Sequence, residues 1–308
     1  MNVGGFKNES EPIRSVNQRW MLPLLLVLIP VIATLLWIPN PAPPSRKYPS
    51  PNGYDDFVEA VKLTRSDPPR TDPTNTAVWR VFVEDNRAAL ERARIGLGKQ
   101  CLVSNEFNEA SMERLHENEV RFKILSYLFR TEVKLRLEDG DTNAATQAAI
   151  DGYRFAVEST RGGMMIGGMI GRVMQEVAMN SIRDTIPHLN RQNTALLLDR
   201  FLAVEPSVPG AQSFLNREAE FNRTMNGMLQ YVSGIFVLGW KQTKDLELTF
   251  TKNWQGTATT RRKFTAQLAK RLYELDHGEP ATGWSDIVPK YLPVIPTNAK
   301  TGRPLLFL

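Results

Sequence analysis

The stretch from Trp20 to Ile38, WMLPLLLVLIPVIATLLWI, constrains this chain more than any other part of it. It carries no charged residue, and Thr34 is its one polar side chain. As a helix it rises roughly 28 Å at 1.5 Å per residue, close to the hydrocarbon thickness of a bilayer. Arg19 on one side and Arg46-Lys47 on the other bracket it, with Trp20 and Trp37 where interfacial aromatics belong. The pattern predicts one membrane-spanning helix over 20–38, a short polar tail over 1–19, and a soluble domain beyond. Pro23 falls in the first turn; Pro30 kinks the span, which membrane helices tolerate. A cleaved signal peptide is the alternative, but the apolar run exceeds the usual ~7–15 residues and no A-x-A follows it. A lipoprotein signal needs a cysteine just after the run, and the one cysteine is Cys101. Lys7, Arg14 and Arg19 precede the span and Arg46 and Lys47 follow it. That bias puts the N-terminus in the cytoplasm and the domain outside, in a bacterial cell envelope.

Six prolines between residues 39 and 53 predict an extended spacer. The remaining length is enough to bury a sizeable core. Lys and Arg number 38 against 33 Asp and Glu, interleaved nearly everywhere, so no nucleic-acid stripe emerges. The densest basic run, Arg261-Arg262-Lys263, reads as a solvated helix face. A single cysteine rules out an internal disulfide framework and a cysteine-rich zinc site.

Helical periodicity dominates residues 54–276 and predicts an all-α domain. A first helix starts near Tyr54 after the turn Pro51-Asn52-Gly53, with Asp55 and Asp56 in its first turn. Thr76 to Leu97 reads as one helix stopped by Gly98. Residues 107–138 read as the longest helix, with Leu115, Phe122, Leu125, Phe129 and Val133 inward. Across Asp139-Gly140-Asp141 an alanine-rich return helix runs from Ala144 to Ser159, making a pair that looks like one tetratricopeptide hairpin. No second copy follows at a 34-residue period. In Arg161–Ile186, Gly163, Gly167 and Gly171 are spaced for one close-packing face, and Met164, Met165, Met169, Met174 and Met179 are gap fillers or the wall of a docking groove. Asn193 reads as the cap of the next helix, and Ser213–Leu238 as another long one. Lys244–Trp254 reads as a strand or a frayed helix before a last helix over Thr257–Leu275. Prolines 280, 289, 293, 296 and 304 make residues 277–308 an extended strap over the helical body. Its Trp284, Ile287, Val288, Tyr291, Leu292, Ile295, Leu305 and Phe307 are placed to fill pockets.

That strap also carries a likeness. His277-Gly278-Glu279-Pro280, Asp286-Ile287-Val288-Pro289, Leu292-Pro293 and Thr301-Gly302-Arg303-Pro304-Leu305 resemble the ending of a group of membrane-anchored helical proteins from planctomycete-type bacteria. The group's pattern runs H-G-x-Y-P, L-V-P, L-P-x-D-P-x-T-G-x-P-L. Pro51-Asn52-Gly53-Tyr54-Asp55-Asp56-Phe57 and Asn86 with Ala89-Leu90 are similar as well. Glu279 stands where the group has tyrosine, and Thr297-Asn298 where it has Asp-Pro. The group has no established activity, so the likeness implies fold and topology alone. A type II secretion pseudopilin is excluded, because Gly5-Phe6 is followed by KNESEPIRSVNQR rather than an apolar helix.

Chemistry is sparse. E-x-x-H occurs twice, at Glu113/His116 and Glu274/His277. Such pairs set two ligands on one helix face, and in helix bundles two of them with two further glutamates hold a di-metal centre. Against this, Glu113 lies in a polar stretch and His277 ends a helix, where a cation suits the dipole. A zincin reading of His116-Glu117 fails because position 120 is Val120. His188 and Cys101 stand alone, and no phosphate loop, nucleophile elbow or EF-hand pattern occurs. No catalytic residue and no cofactor are assigned. The reading that follows is a membrane-held helical module binding protein partners, with the bilayer engaged by residues 20–38. A metal-dependent bundle enzyme and a small-ligand sensor with a Met/Gly-lined pocket are the alternatives.

Overall fold

The computed structural model describes residues 46–69, 76–104, 107–238 and 240–307. The apolar stretch Trp20–Ile38, with the tail before it and residues 39–45 of the spacer, lies outside them. Among the described residues no helix is long and apolar enough to cross a membrane. These residues form an all-α structure with no strand; Thr297 and Pro304 make one isolated bridge.

Helix α1, Gly53–Lys62, begins at Asn52, whose side chain accepts from the Tyr54 amide and clamps Leu102 through both its amide atoms. Tyr54, Phe57, Ala60 and Val61 are buried, and so is Asp56, which ion-pairs with Arg92 and Lys99. Thr76–Leu97 is not one helix. It divides into α2, Thr76–Asp85, and α3, Arg87–Leu97, at Asn86. Asn86 is wholly buried, and its side chain bonds Phe82 O, Ser66 Oγ and the Arg65 amide. An amide that ties a helix to a neighbouring loop competes with the helix's own ladder.

Helix α4, Glu109–Glu138, and α5, Thr142–Glu158, form the expected hairpin around Gly140 at φ +76°, with Asp141 capping α5. The predicted stripe of α4 is buried. Helix α5 is the axis of the molecule, buried over eleven of its residues. Its alanines admit neighbours on several sides, and its aromatics divide the core. Phe155 joins Phe57, Phe122 and Phe129 under α1, α3 and α4, while Tyr153 stacks on Phe201 at 4.0 Å beneath α7 and α9.

Helix α6, Met165–Thr185, starts later than predicted, so Gly163 precedes it. Helix α7, Arg191–Val204, is capped by Asn190 rather than Asn193; Asn193 is buried and donates to Asn143 instead. Helix α8 spans Ala211–Leu238, and α9, Trp240–His277, is the longest at 38 residues. Lys244–Trp254 is therefore helix, not strand. Phe250 and Trp254, one turn apart, bury against Phe214 of α8, and such packing overrides a weak local preference.

The strap contains a helical turn, α10, Trp284–Ile287, and so is not wholly extended. Ile287, Tyr291, Leu292 and Leu305 are buried as predicted, whereas Ile295 is exposed. The bonds that fix the strap to the body or to itself include Arg262 to Thr297 O, the Ala299 amide to Thr259 Oγ1, and Trp284 Nε1 to Leu305 O. The basic run is thus no solvated face. Arg261 is buried, paired with Glu205 and bonded to Gln175; Arg262 holds the strap; Lys263 alone is exposed.

Candidate functional site

The beginning of α6 gathers the molecule's unusual chemistry. A turn over 159–164, in which Gly162 takes φ +79°, delivers α6 into a crowd of neighbours. Its glycines explain how they fit. A Cβ on Gly167 would lie 2.2 Å from Glu119 Oε1 of α4, and one on Gly171 would lie 2.2 Å from Thr160 Cγ2. A Cβ on Gly168 would meet the rings of Phe250 and Phe214 at 3.0 and 3.1 Å. Close approach is therefore what these residues supply, against α4, the preceding turn, and α8 with α9 respectively.

The methionines divide between two roles. Met164, Met174 and Met179 are buried fillers. Met165 and Met169, with Ile170 and Val173, face Leu246, Phe250 and Trp254 of α9 across an open groove of about 330 Å³, which Lys123 and Arg172 also line. Met169 is 45 % exposed and Leu246 62 %. Apolar side chains left this open mark a contact surface more often than a core.

Beside the groove lies a pair of carboxyl groups. Glu218 of α8 accepts from the Met165 amide at 3.2 Å, capping α6 where the helix dipole favours an anion. Glu119 is only 3 % exposed, and its Oε2 has no hydrogen-bond partner. The buried Tyr54 hydroxyl is likewise unpartnered. Burial, and then the charge of Glu218, push the Glu119 carboxyl up to about 8. Burial, with Glu119 and Asp55 nearby, raises Tyr54 in turn. A buried acid whose proton is held by burial and by a neighbouring charge is a common feature of functional sites.

The residues singled out by sequence fare differently. Glu113 is exposed and His116 half-buried in the first turns of α4. Glu274 is bonded to Arg271, and His277, the last residue of α9, stacks on Tyr273 at 4.2 Å. Among the described residues no group of three or more His, Cys, Asp or Glu side chains is placed to hold a metal ion. His188 is exposed at the end of a short turn. Cys101 is buried against Gly96 O, and burial drives its thiol up to about 12, far from a thiolate nucleophile. Glu119 and Glu218 had no motif to announce them; the glycine spacing marked the place where one of them sits. No protein family, curated protein or solved structure matches the chain.

Proposed function

We propose that the protein is a membrane-held helical module of the bacterial cell envelope that binds partner proteins through the groove between α6 and α9. The groove itself carries this reading: an apolar channel open to solvent, with Met165 and Met169 on its wall. Methionine side chains adapt to different apolar surfaces, which suits a docking site. The anchor is argued from Trp20–Ile38 and from the point at which the chain joins the body. Arg46 donates to Gly162 O, just ahead of α6, so the spacer leads to the end of the molecule where the groove begins. A small ligand in the same groove is the second reading, since its volume lies within the range of small-molecule sites.

The test is site-specific photo-crosslinking of the full-length chain in membranes, with the reactive residue at Met169 or at Val294, which is exposed on the strap. A discrete protein adduct from Met169 that is missing from Val294 and is lost with Leu246→Glu is the expected result. The same adducts from both positions, or none from Met169, overturn it. Retention of the chain in membranes after alkaline carbonate extraction reads the anchor separately.

A further inference from the structure

Met165 belongs to both features of the site: its side chain lines the groove, and its amide holds Glu218. We infer that Glu119 and Glu218 form a proton-operated latch between α4, α6 and α8, closed while Glu119 carries a proton and released when that proton leaves for solvent. As a regulator of partner docking, the latch rests on the groove reading proposed above; as a device of the fold, it stands on its own geometry.

That geometry gives an ionised Glu119 no ion pair among the described residues; Tyr54 of α1, its hydroxyl unpartnered, and His116, one turn earlier on α4, are the other titratable groups there. The Oε1 of Glu119 is pressed against Gly167, 3.8 Å from where a Cβ on Gly163 would stand, and its Oε2 is unpartnered. Several other charges lie on the elements around it. Asp55 of α1 accepts from Ser104. Arg161, in the turn before α6, is paired with Glu158 at 2.7 Å. Arg217 of α8 is paired with Glu220, and its guanidinium lies 4.1 Å above the Phe107 ring. Arg46 is bonded to Gly162. On α4 itself Lys123 lines the groove and Arg121 is bonded to Val61 O and Thr64. Helix α6 has no charged side chain before Arg172. Burial holds the proton on Glu119, and the charge of Glu218 acts in the same direction.

Breaking the Glu119 O–H bond and handing the proton to water therefore leaves a carboxylate in a poorly solvated seat, with the charge of the half-buried Glu218 acting against it. Relief comes from letting water in. The partner that gives way is α8, which meets the start of α6 through Glu218 on the Met165 amide and Phe214 on Gly168. Its departure uncovers Met165 and widens the groove.

The sign follows from linkage. A carboxyl raised in the closed state favours closure below its ordinary range, and closure weakens as pH climbs toward about 8. Hydrogen exchange on the full-length chain in lipid nanodiscs, corrected for intrinsic rates, tests this between pH 5 and 9. The opening constant at the Met165 amide and along residues 211–225 should rise about tenfold per pH unit up to pH 8 and then level off. Protection in α5 should stay unchanged, and Glu119→Gln should flatten the profile while retaining closure. An equal pH response in Glu119→Gln overturns the latch, as does a flat wild-type profile. Parallel loss of protection in α5 also overturns it, because the whole fold is then opening. A failed crosslink at Met169 removes the groove reading without touching this exchange result.

Discussion

Asn86 shows how much one buried amide can organise. Its Oδ1 accepts from the Arg65 amide at 2.8 Å, while its Nδ2 reaches Phe82 O at 2.8 Å and Ser66 Oγ at 2.9 Å. The side chain thus serves the end of a helix and a loop roughly twenty positions away in sequence. Asn86→Ala deprives the buried Phe82 carbonyl and the part-buried Arg65 amide of this partner. The expected loss is roughly 1–3 kcal/mol, the cost of an unsatisfied buried group. Urea unfolding checks it: the midpoint should fall with an unchanged slope, and an unaltered midpoint would remove Asn86 from the framework. Helical periodicity read straight through Asn86. Helical spacing is blind to a side chain that leaves the ladder for a distant loop.

Between helices, the contact of α1 with α3 depends on Gly53 and Gly96. A Cβ on Gly53 would stand 2.3 Å from Gly96 O, and one on Gly96 would stand 2.7 Å from both Gly53 O and the Phe57 ring. Backbone blocks the first of these, so no rotamer change relieves it. Gly53→Ala should therefore destabilise by about 1–3 kcal/mol or more, as overpacking does. Thermal melts of Gly53→Ala beside Gly98→Ala check this, because a Cβ at Gly98 meets its nearest atom only at 3.4 Å. Equal melting points for the two variants would show that the crossing is compliant. Sequence marked Gly53 as part of a turn and passed over Gly96. It read the four-residue glycine spacing of α6 correctly as close packing, because that repeat is local. The partner of Gly167 is Glu119 of α4, far along the chain, whereas Gly171 meets Thr160 in the turn just before its own helix.

The molecule as a whole is closed by its strap. Ile287, Tyr291 and Leu292 complete the core under α5, α7 and α9, while Tyr291 and Arg191 both bond Asp276 at the end of α9. Ending the chain before Trp284 uncovers these apolar surfaces, each worth roughly 1.5–3 kcal/mol when buried. Loss of cooperative unfolding, or a large drop in melting temperature with binding of an apolar dye, is expected. A truncated chain that melts like the full one would make the strap an accessory. The proline pattern made this strap legible from sequence, since a chain so interrupted cannot continue a helix and its apolar residues need cover.

Local rules settled the helical class, the α4–α5 hairpin at Gly140, the inward stripe of α4 and the strap, because periodicity, turn glycines and prolines act over a few residues. They also set Trp20–Ile38 apart as an uncharged apolar run, which lies outside the described residues. The unbroken course of α9, the division at Asn86 and the burial of Arg261 were settled by packing between segments remote in sequence. Glu119 is the clearest case. Nothing beside it in the chain distinguishes it from the charged residues of a solvated helix face. It becomes a buried acid only because Gly167 leaves room for its carboxyl and α8 brings Glu218 close to it. Solvation and like-charge repulsion depend on distance in space, and that distance exists only once the chain has folded.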